Sequence, residues 1–435
     1  MSVQAIDKRT EADTALAGAF ESMKDKGAAS LRKAAWESFA RKGLPTRRVE
    51  AWHYTDLRAA LRVVAPLGAP STIAPSVEAA SDRIRLVLAD GEFRLELSNI
   101  AALPAGVEIL SLRDALSRDD AALLAALAPA EISSADAVIA LNGALMQDGV
   151  ILRIGPGVQL ARDLELELLS SGGAARSVYT RSLVVAGDGS KARVIETSRA
   201  LAPSGSQENH LLAFAIGAGA EIEHIADVAS QSVDAIRLFS LLVTLGAKSV
   251  FNSLGVVEGG GLVRRQIFAR LEGEYASVGL DGLSLLGSRD HADTTLVVEH
   301  AAPHCKSRER FRTVLDGQAT GVFQGKVVVR PGAQKTDGAM HSKALLLSDG
   351  ATMNNKPELE IFADDVVCGH GATCGRLDAD QLFYLEARGL PKREAEALLI
   401  EGFANEVVES ISDEATREAF QTRIREWLGR REQGR

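Results

Sequence analysis

The chain of 435 residues is 46% hydrophobic and roughly two to four times the size of an ordinary domain, so it folds around a large core with more than one structural unit. Its 49 Lys and Arg against 58 Asp and Glu leave a net charge of -9, which repels a phosphate backbone and excludes non-specific nucleic-acid binding. The three cysteines, Cys305, Cys368 and Cys374, are an odd and sparse set that cannot build a disulfide framework and suits a reducing compartment.

The opening residues, Met1 to Asp13, lack the basic-then-apolar pattern of a signal peptide. No later stretch nears about eighteen uninterrupted apolar residues. The expectation is a cytoplasmic protein without membrane insertion. Leu16, Phe20 and Met23, then Leu31, Ala35 and Phe39, recur at helical spacing before Gly43 and Pro45 end the run. The segment Gly43 to Leu57 is dense in aromatics for a chain with 5% of them; such clusters pin one element against another, and packing takes precedence over a ligand role for His53. Residues 66 to 82, rich in Pro, Ala and Ser, read as a linker, and Ile84 to Leu97 alternates like a hairpin around Asp90-Gly91.

From about Asp136 to Val367 the texture changes to short runs of Val, Ile, Leu, Phe and Thr with almost nothing periodic enough for a helix. Examples are Val150 to Ile154, Leu164 to Leu169, Leu183 to Val185, Leu211 to Ile216, Leu238 to Leu245 and Lys326 to Val329. Small-residue turns separate them, among them Gly155-Pro-Gly157, Gly187-Asp-Gly189, Gly217-Ala-Gly219, Asp316-Gly317, Asp349-Gly350 and Gly371-Ala372. A β-sandwich would show hairpins and stricter alternation. Strands apolar on both faces instead fit a solenoid whose coils stack inward-facing aliphatic ladders, with both flat faces partly covered and helical segments shielding its open ends.

After Gly375 the pattern is helical again. Asp378 and Gln381 make a capping box, Gly389 and Pro391 separate two helices, and Ala395, Leu399, Phe403, Val407 and Ile411 form one stripe, followed by Phe420, Ile424 and Trp427. The domain expectation is therefore residues 1–135 helical or mixed α/β, 136–374 strand-built, and 375–435 helical.

Chemistry concentrates in Asp364 to Cys374, where Cys368 and His370 share one face if the segment is extended. Thiolate and imidazole both suit iron, zinc and copper, yet two or three ligands do not close a site. Spacing alone favours a small buried Cys368 and a hydrogen-bonded turn residue at His370. Gly371 favours a bend that would take Cys374 off that face, so Cys374 is secondary. His304 and Cys305 are adjacent and face apart on a strand, as a buried Cys and a surface His. His341 could approach His370 from an adjacent coil, but solvation is the default reading for it and for His210, His224, His291 and His300. No phosphate loop, dinucleotide fingerprint or nucleophile elbow occurs, and no catalytic constellation stands out.

Pro303 to Arg312, Leu345 to Ala351 and Lys356 to Ile361 together resemble the SufB/SufD family. Asp365 to Thr373, Gln381 to Leu390 and Gly43 to Leu57 are similar to its SufD branch. The resemblance implies a right-handed parallel β-helix flanked by N- and C-terminal helical domains, a non-catalytic scaffold of iron-sulfur cluster assembly. It implies pairing with SufB through the β-helices and binding of the ATPase SufC through the C-terminal helical region. His370 matches the family histidine at the SufB interface and Cys368 the nearby cysteine, so that a transient cluster or iron is shared with SufB. Homodimerisation in isolation and a reduced flavin in the complex are further readings. The chain departs from the family at Cys374, where an aliphatic residue is usual, and at Gly369, where a hydroxyl residue is frequent. Rival readings are a purely structural partner of SufB without metal contacts and a β-helical carbohydrate-active enzyme.

Overall fold

The computed structural model describes residues 10–68, 83–100, 103–117, 121–127, 136–229 and 232–433, so most of the 66–82 stretch lies outside the described residues. Nineteen strands occur among them. Those of the N-terminal part are β1 (Ile84–Ala89), β2 (Glu92–Phe93), β3 (Val107–Ser111), β4 (Val150–Ile154), β5 (Leu164–Ser170), β6 (Ser177–Ala186) and β7 (Lys191–Ala200). The middle holds β8 (Gln207–Ile216), β9 (Glu221–Ala229), β10 (Ile236–Leu245), β11 (Val250–Glu258), β12 (Leu262–Leu271) and β13 (Ser277–Leu286). The last six are β14 (His291–His300), β15 (Lys306–Leu315), β16 (Thr320–Val329), β17 (Asp337–Leu346), β18 (Thr352–Ile361) and β19 (Val367–Gly375).

From β4 onward successive strands alternate between two sheets. One runs β19-β17-β15-β13-β11-β9-β7-β5-β1-β2 and the other β18-β16-β14-β12-β10-β8-β6-β4-β3, making a parallel β-solenoid of about eight turns. The register places Ile236 beside Leu262, Leu262 beside His291 and Thr320 beside Thr352, so one turn takes about 26 to 32 residues. Only β2 and β3 are antiparallel to their neighbours, and they end the two sheets on the N-terminal side. The β1–β2 hairpin turns at Asp90 and Gly91, both at positive φ, as the sequence indicates.

Inward positions form ladders. One runs Ile84, Leu164, Val194, His224, Ser253, Leu280, Glu309, Met340 and His370, and another Phe251, Val278, Ser307, Gly338 and Cys368. Burying each aliphatic rung contributes about 1.5–3 kcal/mol, so the stack, rather than any one coil, holds the body together.

The corners explain the uneven glycine spacing. Gly157, Gly189 and Gly219 take positive φ, but Lys248, Tyr275, His304 and Lys335 take the same left-handed conformation without being glycine. Each donates its N–H to the next coil: Lys248 to Glu274 O (2.8 Å), Tyr275 to Pro303 O (3.3 Å), His304 to Gln334 O (2.9 Å) and Lys335 to Asp365 O (2.6 Å). These bonds offset a backbone cost of order 1–2 kcal/mol per residue. By contrast, Gly371-Ala372, read as a turn, lies inside β19.

The helices cover the sheets' outer faces instead of shielding the solenoid's ends. Leu16, Phe20, Phe39, Trp52 and Leu57 pack with Tyr179, Ile236 and Leu238 on the even-strand sheet. Ile400, Ala404, Val407, Phe420, Ile424 and Trp427 pack with Leu254, Leu283, Val314 and Leu345 on the odd-strand sheet. The stripe on the Lys392–Val408 helix is shifted from the expected one: Ile400 and Ala404 are buried, whereas Leu399 and Phe403 are half-buried. A helix unseen in the sequence, Ala137–Leu145, is buried at all nine positions and so has no amphipathic period; the Asp136 side chain caps it through Val138 N and Ile139 N.

The aromatic segment does pin the N-terminal helices down. Trp52 is buried beneath the Arg264 guanidinium, 3.8 Å away, and Arg264 donates to Ala51 O (2.7 Å) and pairs with Asp293, both side chains wholly buried. Thr55 donates to Asp293, while His53 is exposed.

Candidate functional site

On the C-terminal side β18 and β19 end their sheets, and no further strand pairs with either among the described residues. Pro357 in β18 lacks a donor, which a sheet tolerates at an edge. Ile361, Phe362 and Val367 stand exposed around this end.

β19 is continuous from Val367 to Gly375, so the bend expected at Gly371 is absent. Cys368, His370 and Cys374 therefore share the inward parity, stacked on Gly338, Met340 and Ala344. With no coil beyond them, inward positions become partly solvent-facing: Cys368 is half-buried, and His370 and Cys374 are exposed. His341 is paired with Gly371, one residue out of phase with His370, and so faces the other side.

The remaining candidates are accounted for by the coil. His210, His224 and His300 are buried, contrary to the solvated reading, because they occupy inward positions. His210 bonds Thr180 (2.7 Å) and His224 bonds Ser253 (2.9 Å), while half-buried His291 bonds Thr55 (2.9 Å). Cys305 is buried and donates to Gly273 O (3.2 Å), and His304 stacks on Tyr275 at a corner.

Around Cys368 the interior is unusual. A Cβ built on Gly338 would lie 3.3 Å from Ser307 Oγ and 3.6 Å from Cys368 Sγ, so the missing side chain leaves a methyl-sized gap between them. Beneath it stands Ser307, and two residues along the same strand Glu309, beneath Met340, is 0% exposed with no well-formed hydrogen bond to either carboxylate oxygen. Burial pushes the Glu309 carboxyl up to about 8, against the neighbouring Ser307 hydroxyl, which favours its ionised form. Burial also raises the Cys368 thiol, the Gly338 N–H opposes this, and the Asp337 and Glu309 carboxylates add to the rise. A thiol so placed ionises when a cation or another positive group meets it.

Sequence reasoning missed Ser307, Glu309 and Gly338. The run Lys306-Ser-Arg-Glu-Arg-Phe-Arg312 looks solvated, but Ser307 and Glu309 share strand parity with buried Phe311, which was the available signal. Among the described residues, no three His, Cys, Asp or Glu side chains converge to hold one metal ion. A cleft of about 360 Å³ lies elsewhere, under the C-terminal helices; its arginines are tied up, Arg310 with Asp281 and Arg308 with Asp337.

The family model described as the SUF system FeS cluster assembly, SufBD core domain, matches residues 168–403, more than half of the chain. The chain belongs to the SufBD family. A second model, the SufBD protein N-terminal region, matches residues 70–166. The Escherichia coli protein named iron-sulfur cluster assembly protein SufD is 29% identical over 394 residues, covering 89% of this chain and 90% of its own. A Synechocystis SufBD family protein is 29% identical over 384 residues, covering 85% and 84%. The Bacillus subtilis SufD is 40% identical over 104 residues, 24% of each chain. This SufBD protein is thus a SufD homologue of iron-sulfur cluster assembly, and no helix among its described residues is long and apolar enough to cross a membrane.

Proposed function

We propose that this chain is the non-catalytic SufD-type scaffold subunit of a cytoplasmic assembly complex, pairing with SufB at the open end of the solenoid and with the ATPase SufC through its C-terminal helices. The observation that carries the reading is the joint placement of Cys368 and His370 on one face of an edge strand, whose outer side no strand pairs among the described residues. A cluster made for transfer is held by an incomplete ligand set that a sister subunit finishes, since four ligands from one chain would favour retention. The apolar rim at Ile361, Phe362 and Val367 gives that subunit a surface to bury. The Ala379–Ala387 helix has no buried residue and presents Phe383 (71% exposed) and Tyr384 (57%), as an unpartnered docking helix would.

His370→Ala in the chain co-expressed with SufB and SufC leaves co-purification intact and lowers iron or cluster loading of the complex. Loading equal to wild type rejects the metal role. A second reading, a structural partner without metal contacts, draws on the packing of Cys368 against the core. Titrating iron into the complex carrying Cys368→Ala with His370→Ala separates the two: unchanged uptake favours the structural reading.

A further inference from the structure

We propose that Glu309 is an inner ligand of the cation that Cys368 receives, binding it from inside the solenoid across the gap left by Gly338. The inference rests on the reading of Cys368 as a metal-contacting residue, and goes beyond it by naming a ligand on another coil.

Three observations converge. The Cys368 thiol borders the gap at Gly338, with its sulfur 3.6 Å from where a Cβ would stand, and so it is turned toward the coils beneath. Glu309 is the interior acid of those coils; it lies one coil below Met340, which itself lies below His370, and close enough to Cys368 for its charge to act on the thiol. Both its oxygens lack a partner at complete burial, where an unpaired polar group costs several kcal/mol unless something satisfies it. Ser307 Oγ, the polar group beside Glu309, borders the same gap at 3.3 Å.

One thiolate, one carboxylate and a hydroxyl form a mixed soft and hard donor set suited to a borderline divalent ion such as Fe²⁺. Such a set is incomplete and leaves a position open toward the exposed end. The other charged group facing the thiol, Asp337, is engaged by Arg308 (2.6 Å). Glu309 thereby supplies a ligand that the surface strand itself cannot offer.

The test uses the isolated full-length chain in a Cys374→Ala background, titrated with Cd²⁺ and followed by thiolate-to-metal charge-transfer absorption, with circular dichroism to confirm folding. The background protein binds one Cd²⁺ with a band that Cys368→Ala abolishes. Glu309→Gln, isosteric and unable to ionise, weakens binding at least about tenfold. Gly338→Ala, which fills the gap without needing a left-handed backbone, does the same. Glu309→Gln or Gly338→Ala binding within twofold of the background protein overturns the inference, as does a background protein without the Cys368-dependent band. Each of these results leaves the His370-dependent loading of the complex as a separate measurement, so the wider reading stands or falls on its own.

Discussion

Replacing Asp293 with Ala removes one half of the ion pair that fastens the N-terminal helices to the even-strand sheet. Arg264 and Asp293 are both fully buried, and Arg264 also lies over Trp52 and donates to Ala51 O. Without the carboxylate the guanidinium is an uncompensated buried charge, which costs about 3–5 kcal/mol. Thr55 loses its acceptor as well. The cost falls on the attachment of residues 50–60 rather than on the ladders, since neither side chain belongs to the aliphatic stack. Hydrogen exchange is the direct assay: the N–H groups of Trp52 and Thr55, bonded to Val49 O and Trp52 O, exchange roughly a hundred to several thousand times faster. The double variant Arg264→Met with Asp293→Leu removes both charges and recovers most of the loss. Exchange within fivefold of wild type in Asp293→Ala refutes the argument, because the pair would then not be what holds the segment.

Gly282→Ala destabilises the body by about 1–3 kcal/mol, since the new methyl would stand 2.3 Å from the ring of buried Phe311; an unchanged urea midpoint rules out the close approach. His300 is wholly buried with both ring nitrogens unpartnered, and burial lowers it from 6.5 to about 4, Asp337 opposing. The folded state therefore resists a proton that the unfolded state takes up below pH 6.5; stability falls from there to about pH 4, by about 3 kcal/mol in all. His300→Leu flattens that part of the profile, and parallel pH profiles for the two proteins reject the assignment. Phe383→Glu leaves the unfolding free energy within about 0.5 kcal/mol of wild type, because the side chain is exposed and its helix has no buried residue; a larger loss shows that the helix is packed after all.

Much of the architecture is legible in the chain. The six strand runs read from composition all fall within strands, although most of those strands extend to nine or ten residues. The runs stop short because buried residues such as Arg181, Glu208 and Arg237 look like surface. The corners at Lys248, Tyr275, His304 and Lys335 are silent for the same kind of reason: a bond to the next coil, and no local preference, sets their backbone. At the site, Cys368 and His370 are recognisable from spacing and from the family resemblance. Glu309, Ser307 and Gly338 are not, because about thirty to sixty residues separate them from Cys368 and His370 while one or two coil heights bring them together.

The sequence alone determined the solenoid texture, the flanking helices and the thiol and imidazole two residues apart, because these follow from local propensity and from side-chain parity along a strand. Tertiary structure alone decided that the helices cover the flanks and leave the last coil bare, and that a buried carboxyl lies two coils beneath the imidazole. Those facts depend on which coil ends the stack and on what residues a turn apart place above one another, and no local pattern encodes either.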